Sequence, residues 1–210
     1  MSSIYIVEEG GDFIDETYNM FETNGWAPSI YMEKCDFLCL IGGIDVSPSL
    51  YGQEKCPETF CDLELDRRHL AYVKEFQDIK VKQRQPANII GICRGGQLMN
   101  VHNGGSMWQD VDRHCKSHSC EVSGMGSWNV TSIHHQQMIP GISGKVLGKS
   151  WESTIKVKHG SKIHAKNLMT LEDPEIIWYP ETRTLCFQPH PELSDETGEL
   201  FFELISKLYT

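Results

Sequence analysis

Apolar and polar positions alternate along this chain in two rhythms, one of buried strands and one of amphipathic helices. Ser3–Val7 is a short run of β-branched and aromatic residues that stops at Gly10-Gly11, the profile of a buried first strand. Phe13, Tyr18, Met20 and Phe21 are spaced through a polar stretch ending at Asn24-Gly25, which predicts a first helix. Residues 35–41, with Phe37, Leu38, Cys39 and Leu40, read as a second buried strand halted by Gly42-Gly43. The Gly, Asp, Ser and Pro content of residues 43–52 supports turns and leaves backbone N–H groups free to face a ligand, or else makes a plain surface connection. Leu65, Leu70, Val73 and Phe76 predict an amphipathic helix over residues 65–77, and residues 87–91 predict the next strand. A helical pattern then runs to Asn103-Gly104-Gly105. Residues 108–128 are irregular and polar and carry no assignment. Strands are expected at residues 176–179 and 184–188, joined by the turn-like Pro180-Glu181-Thr182-Arg183. Residues 196–208 place Leu200, Phe201, Leu204, Ile205 and Leu208 on one helical face.

A strand, helix, strand, helix succession implies parallel strands joined by right-handed crossovers, with helices on both faces of the sheet. The expectation is therefore an α/β, three-layer molecule with a mostly parallel central sheet. Sites in such sheets lie at the carboxyl ends of the strands. No internal repeat, low-complexity tract or linker divides the chain, so residues 1–210 are expected to form one domain.

Composition narrows the functional classes. With 210 residues and 40% hydrophobic content, the chain can bury a core without disulfides or metal. A formal charge of −10 and the absence of a Lys/Arg cluster argue against nucleic acid or an anionic membrane as partner. The N-terminus lacks a basic region followed by a long apolar core, and no stretch approaches about 18 consecutive apolar residues, so a cytoplasmic location is expected. Eight cysteines (35, 39, 56, 61, 93, 115, 120 and 186) are too few for a disulfide scaffold of this length, and most are expected as thiols.

The chemistry centres on Asn88–Val101. Gly91-x-Cys93-x-Gly95 matches the nucleophile-elbow pattern with sulfur in place of the serine oxygen, in a strand, sharp turn and helix. Such a turn exposes Cys93 at the first turn of a helix, where unpaired N–H groups and the helix dipole favour a thiolate. The alternative is a buried, inert cysteine closing a core strand, and the flanking glycines and Arg94 favour the nucleophile. The strand at residues 184–188 leads into Pro189-His190-Pro191-Glu192. Residues two apart in extended backbone point the same way, so Glu192 is placed to orient the His190 ring for proton transfer. A nucleophile, a base and an orienting carboxylate at strand ends meet the requirements of nucleophilic acyl transfer.

Gly91-Ile-Cys93-Arg-Gly-Gly-Gln97 together with Gln188-Pro-His190-Pro-Glu192 resembles the class I glutamine amidotransferase family. Within it, the chain most resembles the branch of γ-glutamyl hydrolases that includes γ-glutamyl-γ-aminobutyrate hydrolase. Residues 42–52, 103–109 and 130–136 (Val-Thr-Ser132-Ile133-His134-His135-Gln136) support that branch. The resemblance implies a flavodoxin-like fold and a Cys93–His190–Glu192 triad. It also implies an oxyanion hole from backbone N–H groups near Gly43 and of Arg94, and a glutamyl pocket using Gln97, Ser132, Ile133 and His134. The expected activity is cleavage of a γ-glutamyl amide of a small molecule through a thioester, with no cofactor. The alternative is a glutaminase subunit delivering ammonia to a separate synthetase, and a third reading is a non-catalytic binding protein on the same fold. Oligomeric state is open. The branch usually carries Arg before Asp66, where this chain has Leu65, so that contact is expected to be lost or taken over by Arg67 or Arg68.

His114-Cys115-Lys116-Ser117-His118-Ser119-Cys120 offers four metal-ligand side chains in seven residues. The spacing is short and no second pair follows, so a polar loop near the site mouth, and no metal, is the expectation. His134 and His135 are expected as pocket walls rather than ligands.

Overall fold

The computed structural model describes residues 1–158, 161–164 and 172–209. Its elements are, in chain order, β1 (Ser3–Val7), α1 (Ile14–Thr23), β2 (Ala27–Pro28), β3 (Phe37–Leu40), α2 (Leu63–Gln83), β4 (Asn88–Ile92) and α3 (Arg94–His102). The strands β5 (Ser106–Trp108), β6 (Asp110–Val111), β7 (His118–Val122), β8 (Gly126–Val130), β9 (Gln137–Ile139), β10 (Lys145–Ser150), β11 (Ile155–Lys158) and β12 (Ser161–His164) follow. The chain closes with β13 (Asp173–Tyr179), β14 (Thr184–Phe187) and α4 (Asp195–Leu208).

The central sheet has nine strands in the order β2-β1-β3-β4-β14-β13-β10-β7-β8. From β2 to β14 neighbouring strands run parallel, and from β14 to β8 they run antiparallel. Every residue of β3, β4 and β14 is buried, because alternate side chains enter opposite cores. Phe37, Cys39, Ile90, Ile92, Leu185 and Phe187 pack with Phe21 of α1 and Leu200, Phe201 and Leu204 of α4. Leu38, Leu40, Ile89 and Cys186 pack on the other face with Val73 and Phe76 of α2 and Leu98 and Met99 of α3. The three-layer α/β architecture follows from that two-sided burial.

Residues 108–128, unassigned from sequence, contain β7 and β8, a hairpin at the antiparallel edge of the sheet. Along β7, His118, Cys120 and Val122 are buried while Ser119 and Glu121 are exposed. The alternation is that of a strand, disguised because its inward residues include a histidine and a cysteine. Helix α2 starts earlier and ends later than its apolar pattern suggests. The Asp62 carboxylate caps it by accepting from the Glu64 and Leu65 amides at 2.9 and 3.3 Å.

Candidate active site

Cys93 follows β4 directly and caps α3, with backbone angles φ 49° and ψ −112°. Its amide donates to the Phe187 carbonyl of β14 at 2.8 Å, and its carbonyl accepts from Gln97 N at 3.0 Å, so strand pairing and the first helical turn enforce the strained geometry. The elbow closes only around glycine. A Cβ on Gly95 would meet the Leu40 carbonyl oxygen at 2.2 Å, and one on Gly91 would meet Gly95 backbone at 2.5 Å. Cys93 is 8% exposed, which corrects the expectation of an exposed turn. The loops after β3 and β14 close over the elbow and leave the sulfur at the floor of a cleft.

His190 follows β14, and its Nδ1 stands 2.5 Å from Glu192 Oε1. The pairing arises differently from the extended i, i+2 geometry, since Pro191–Leu193 form a 3₁₀ turn that brings the carboxylate back onto the ring. The ring's other edge, Nε2, has no hydrogen-bond partner among the described residues. Burial works against the imidazolium, but the Cys93 sulfur and the Glu192 carboxylate outweigh it and push His190 up to about 10. A Cβ on Gly42 would stand 3.2 Å from His190 Cε1 and 3.9 Å from Cys93 Cβ, so this glycine lies against both side chains. Phe13, held at φ 55° at the start of α1, sets its ring edge-on to His190 with centroids 5.5 Å apart.

A cleft of about 200 Å³ opens over Cys93, walled by Gly43, Asp45, Arg94, Gln97, Ile133 and His134 among others. The Gln97 side chain is held by donating to the Gln136 carbonyl at 3.3 Å and to Gln188 Oε1 at 3.2 Å, and Gln188 Nε2 in turn reaches Cys93 Sγ at 3.8 Å. Gln188, to which the sequence pattern assigns no role, thus links the pocket glutamine to the sulfur. Ser132 does not line the cleft. It is buried, and its hydroxyl donates to the His114 carbonyl at 2.5 Å.

The Arg94 guanidinium points away from the cleft chemistry. Its Nη2 bonds Asp66 Oδ1 at 2.5 Å with both side chains buried, and its Nη1 contacts His69 Nδ1. Burial and the adjacent Arg94 push His69 below its ordinary value. The neutral ring donates from Nε2 to the Glu9 carbonyl at 2.8 Å. Asp66 also accepts the Ser47 amide at 2.9 Å, which ties the loop after β3 to α2. Arg67 and Arg68 do not take over a pocket contact. They pair at the surface with Glu64 and Glu9 at 2.5 and 2.8 Å. Leu65 instead packs toward Gly10, where an added Cβ would meet its Cδ2 at 2.8 Å.

At the mouth, His135 bridges Asp45 Oδ1 at 3.0 Å and Asp110 Oδ1 at 3.1 Å. The bond to Asp45, against burial and with help from Asp110, pushes His135 up to about 9, so an imidazolium sits between two carboxylates. His134 contributes to the cleft wall, but its ring edge turns inward to Glu175, with Nε2 and Oε2 3.5 Å apart. His114 and His118 meet the same carboxylate, whereas Cys115 is exposed and Cys120 lies in the hydrophobic core. The expected polar loop is corrected: His114 and His118 are buried, and residues 118–122 form β7. His118 and Cys120 share the buried face of β7; His118 reaches Glu175, while Cys120 packs in the hydrophobic core.

A model of the Peptidase C26 family matches residues 22–166. A glutamine amidotransferase-like protein of Lactococcus lactis subsp. lactis is 32% identical over 189 residues, spanning 80% of this chain and 70% of the relative. Among solved structures, a glutamine amidotransferase from Thermotoga maritima superposes with a TM-score of 0.58 at 14% identity, covering 99% of this chain and 83% of that one. A chain from the structure of PurLQS from Thermotoga maritima superposes with a TM-score of 0.63 at 12% identity, covering 99% and 98%. At those identities the structural likenesses show the fold. The family match, with the Lactococcus relative, shows the lineage: this chain belongs to the Peptidase C26 family of class I glutamine amidotransferase-like proteins.

Proposed function

We propose that this protein hydrolyses a γ-glutamyl amide bond of a small molecule through a Cys93 thioester. The observation that carries the reading is the convergence of a strained cysteine that lines a cleft at a helix start, a histidine charged at neutral pH and a carboxylate bonded to that histidine. Cys93 sulfur attacks the γ-carbonyl carbon, and the backbone amides of Gly43 and Arg94 take the developing oxyanion. Removing one such donor typically costs about 10²–10³ in kcat. As the tetrahedral intermediate collapses, the C–N bond breaks and the His190 Nε2 proton passes to the departing nitrogen. Water then adds to the thioester with His190 as base, releasing glutamate and restoring the sulfur. Glu192 holds the ring and its charge throughout.

The cleft volume of about 200 Å³ suits a glutamyl group with the leaving amine outside. Two aspartates and one imidazolium leave an excess negative charge at the mouth, complementary to an α-ammonium group. Arg94, already neutralised by Asp66, offers no free charge for a carboxylate. The second reading, a glutaminase serving a separate synthetase, draws on the fold shared with the PurLQS chain and with a glutamine amidotransferase. The test is ammonia or amine release by the purified chain from glutamine and a panel of γ-glutamyl-amines, with a thermal melt on each variant. Turnover that vanishes in folded Cys93→Ala supports the proposal. Glutamine turnover that appears only when a synthetase is added favours the second reading, and undiminished turnover in folded Cys93→Ala overturns both.

A further inference from the structure

Behind the cleft wall, three histidines on different segments converge on one carboxylate. His114 Nδ1 and His118 Nε2 each lie 3.3 Å from Glu175 Oε1, and His134 Nε2 lies 3.5 Å from Oε2. All four side chains are buried. Yet His114 Nδ1, His118 Nε2, His134 Nε2 and Glu175 Oε2 make no hydrogen bond among the described residues. Buried polar atoms without partners are rare and each demands a cause, a bound ion among them.

The outward edges of the rings explain the inward ones. His134 Nδ1 faces the Gln136 carbonyl at 2.9 Å and His118 Nδ1 faces the Lys116 carbonyl at 3.2 Å. A carbonyl only accepts, so both Nδ1 atoms carry the hydrogen, and in the neutral rings both Nε2 atoms present a lone pair to Glu175. His114 is arranged in mirror fashion, its Nε2 lying 3.1 Å from Ser153 Oγ and 3.3 Å from Asp173 Oδ2, which leaves the Nδ1 lone pair inward. With all three rings neutral, three lone pairs face carboxylate oxygens, themselves acceptors. One proton on Glu175 would satisfy one ring, and protonating all three would crowd three cations into a site closed to water. A single divalent cation would take the inward atoms of His114, His134 and Glu175 together. Rings whose second nitrogen is fixed by a carbonyl or carboxylate are the usual outer arrangement of metal-bound histidine.

We propose that His114, His134 and Glu175 bind a divalent transition-metal ion of the zinc class, with His118 beside the same carboxylate. His114 Nδ1 and His134 Nε2 approach different oxygens of Glu175, at 3.3 and 3.5 Å, each near the ~3.3 Å edge of a tetrahedron with metal–ligand bonds of about 2.0–2.1 Å. The ligand atoms of His114, His134 and Glu175 lie within 4.8 Å of one another, so the widest span closes to that edge if each atom moves by about 0.8 Å. The donor set is imidazole and carboxylate without thiolate, which suits zinc. The ion would be structural, pinning the His134 wall and β7 to β13, and it plays no part in the proposed cysteine chemistry.

The test uses the full chain, stripped by a chelator and then titrated with zinc chloride or cobalt(II) chloride. Expected results are one zinc per chain retained through dialysis, a melting temperature several degrees higher with zinc than without, and a cobalt spectrum with ligand-field bands but no thiolate charge-transfer band. Glu175→Gln should lose the retained metal. If that variant fails to fold, the reversible zinc-dependent melt of the unaltered chain decides the matter. A wild-type melt indifferent to zinc and chelator overturns the proposal. So does a thiolate band in the cobalt protein, which assigns binding to cysteines, or metal retention unchanged in folded Glu175→Gln, which places the metal elsewhere.

Discussion

Individual residues here are set by demands that local preference opposes. Cys93 sits at φ 49° and ψ −112°, a conformation open to glycine and strained for any residue with a Cβ, at a typical cost of about 1–3 kcal/mol. Cys93→Gly should therefore be more stable than Cys93→Ala by about 1 kcal/mol, the strain relieved being partly offset by glycine's entropy. Urea melts of the two variants measure it, and equal midpoints would show that the surroundings impose no strain. His190 supplies a pH signature. Its folded value of about 10 lies above the unfolded value near 6.5, so its contribution is fully present below about pH 6.5 and is lost as pH rises toward 10. His135, at about 9, adds a loss that is complete earlier. Stability should decline between pH 6.5 and 10, and Glu192→Gln should shrink that decline because it removes one of the groups that raise His190. A decline of unchanged size in Glu192→Gln would separate His190 from its carboxylate partner.

At the scale of elements, the decisive contacts lock helices to loops rather than helices to strands. The buried Arg94–Asp66 bond, backed by His69, joins α3 to α2 and to the loop after β3 that carries Gly43. Arg94→Ala leaves Asp66 charged and unpaired in the interior and should cost about 3–5 kcal/mol. A double-mutant cycle with Asp66→Asn should give a coupling energy above about 1 kcal/mol, and simple additivity would mean the two groups do not act as a unit. The loss should reach activity through the placement of Gly43.

For the whole molecule, burial on both faces divides the sheet into a rigid half and a more open one. Strands β3, β4 and β14 are covered by helices on each side, while β8 at the far edge is largely exposed. Amide hydrogen exchange should be slowest in those three strands and faster in β7 and β8. Protection as strong at β8 as at β4 would contradict that division. Cys93 and His190 both follow strands of the slow half, the placement that the proposed chemistry requires.

Hydrophobic periodicity by itself determined the parallel strands, the flanking helices and the strand-end locations of Cys93, His190 and Glu192, because runs of residues buried on both faces and glycine stops are local signals. The family resemblance assigned roles to those positions, and the family match bears out the family itself. Tertiary structure alone decided that Cys93 is covered, that Arg94 is consumed by Asp66, that Ser132 faces His114 rather than the cleft, and that a 3₁₀ turn returns Glu192 to His190. It also decided the histidine cluster. His114, His118, His134 and Glu175 are up to 61 positions apart in the chain. Their partnership depends on β7 and β13 lying on either side of β10 in the sheet, an order that pairing between distant strands sets and no spacing along the chain encodes.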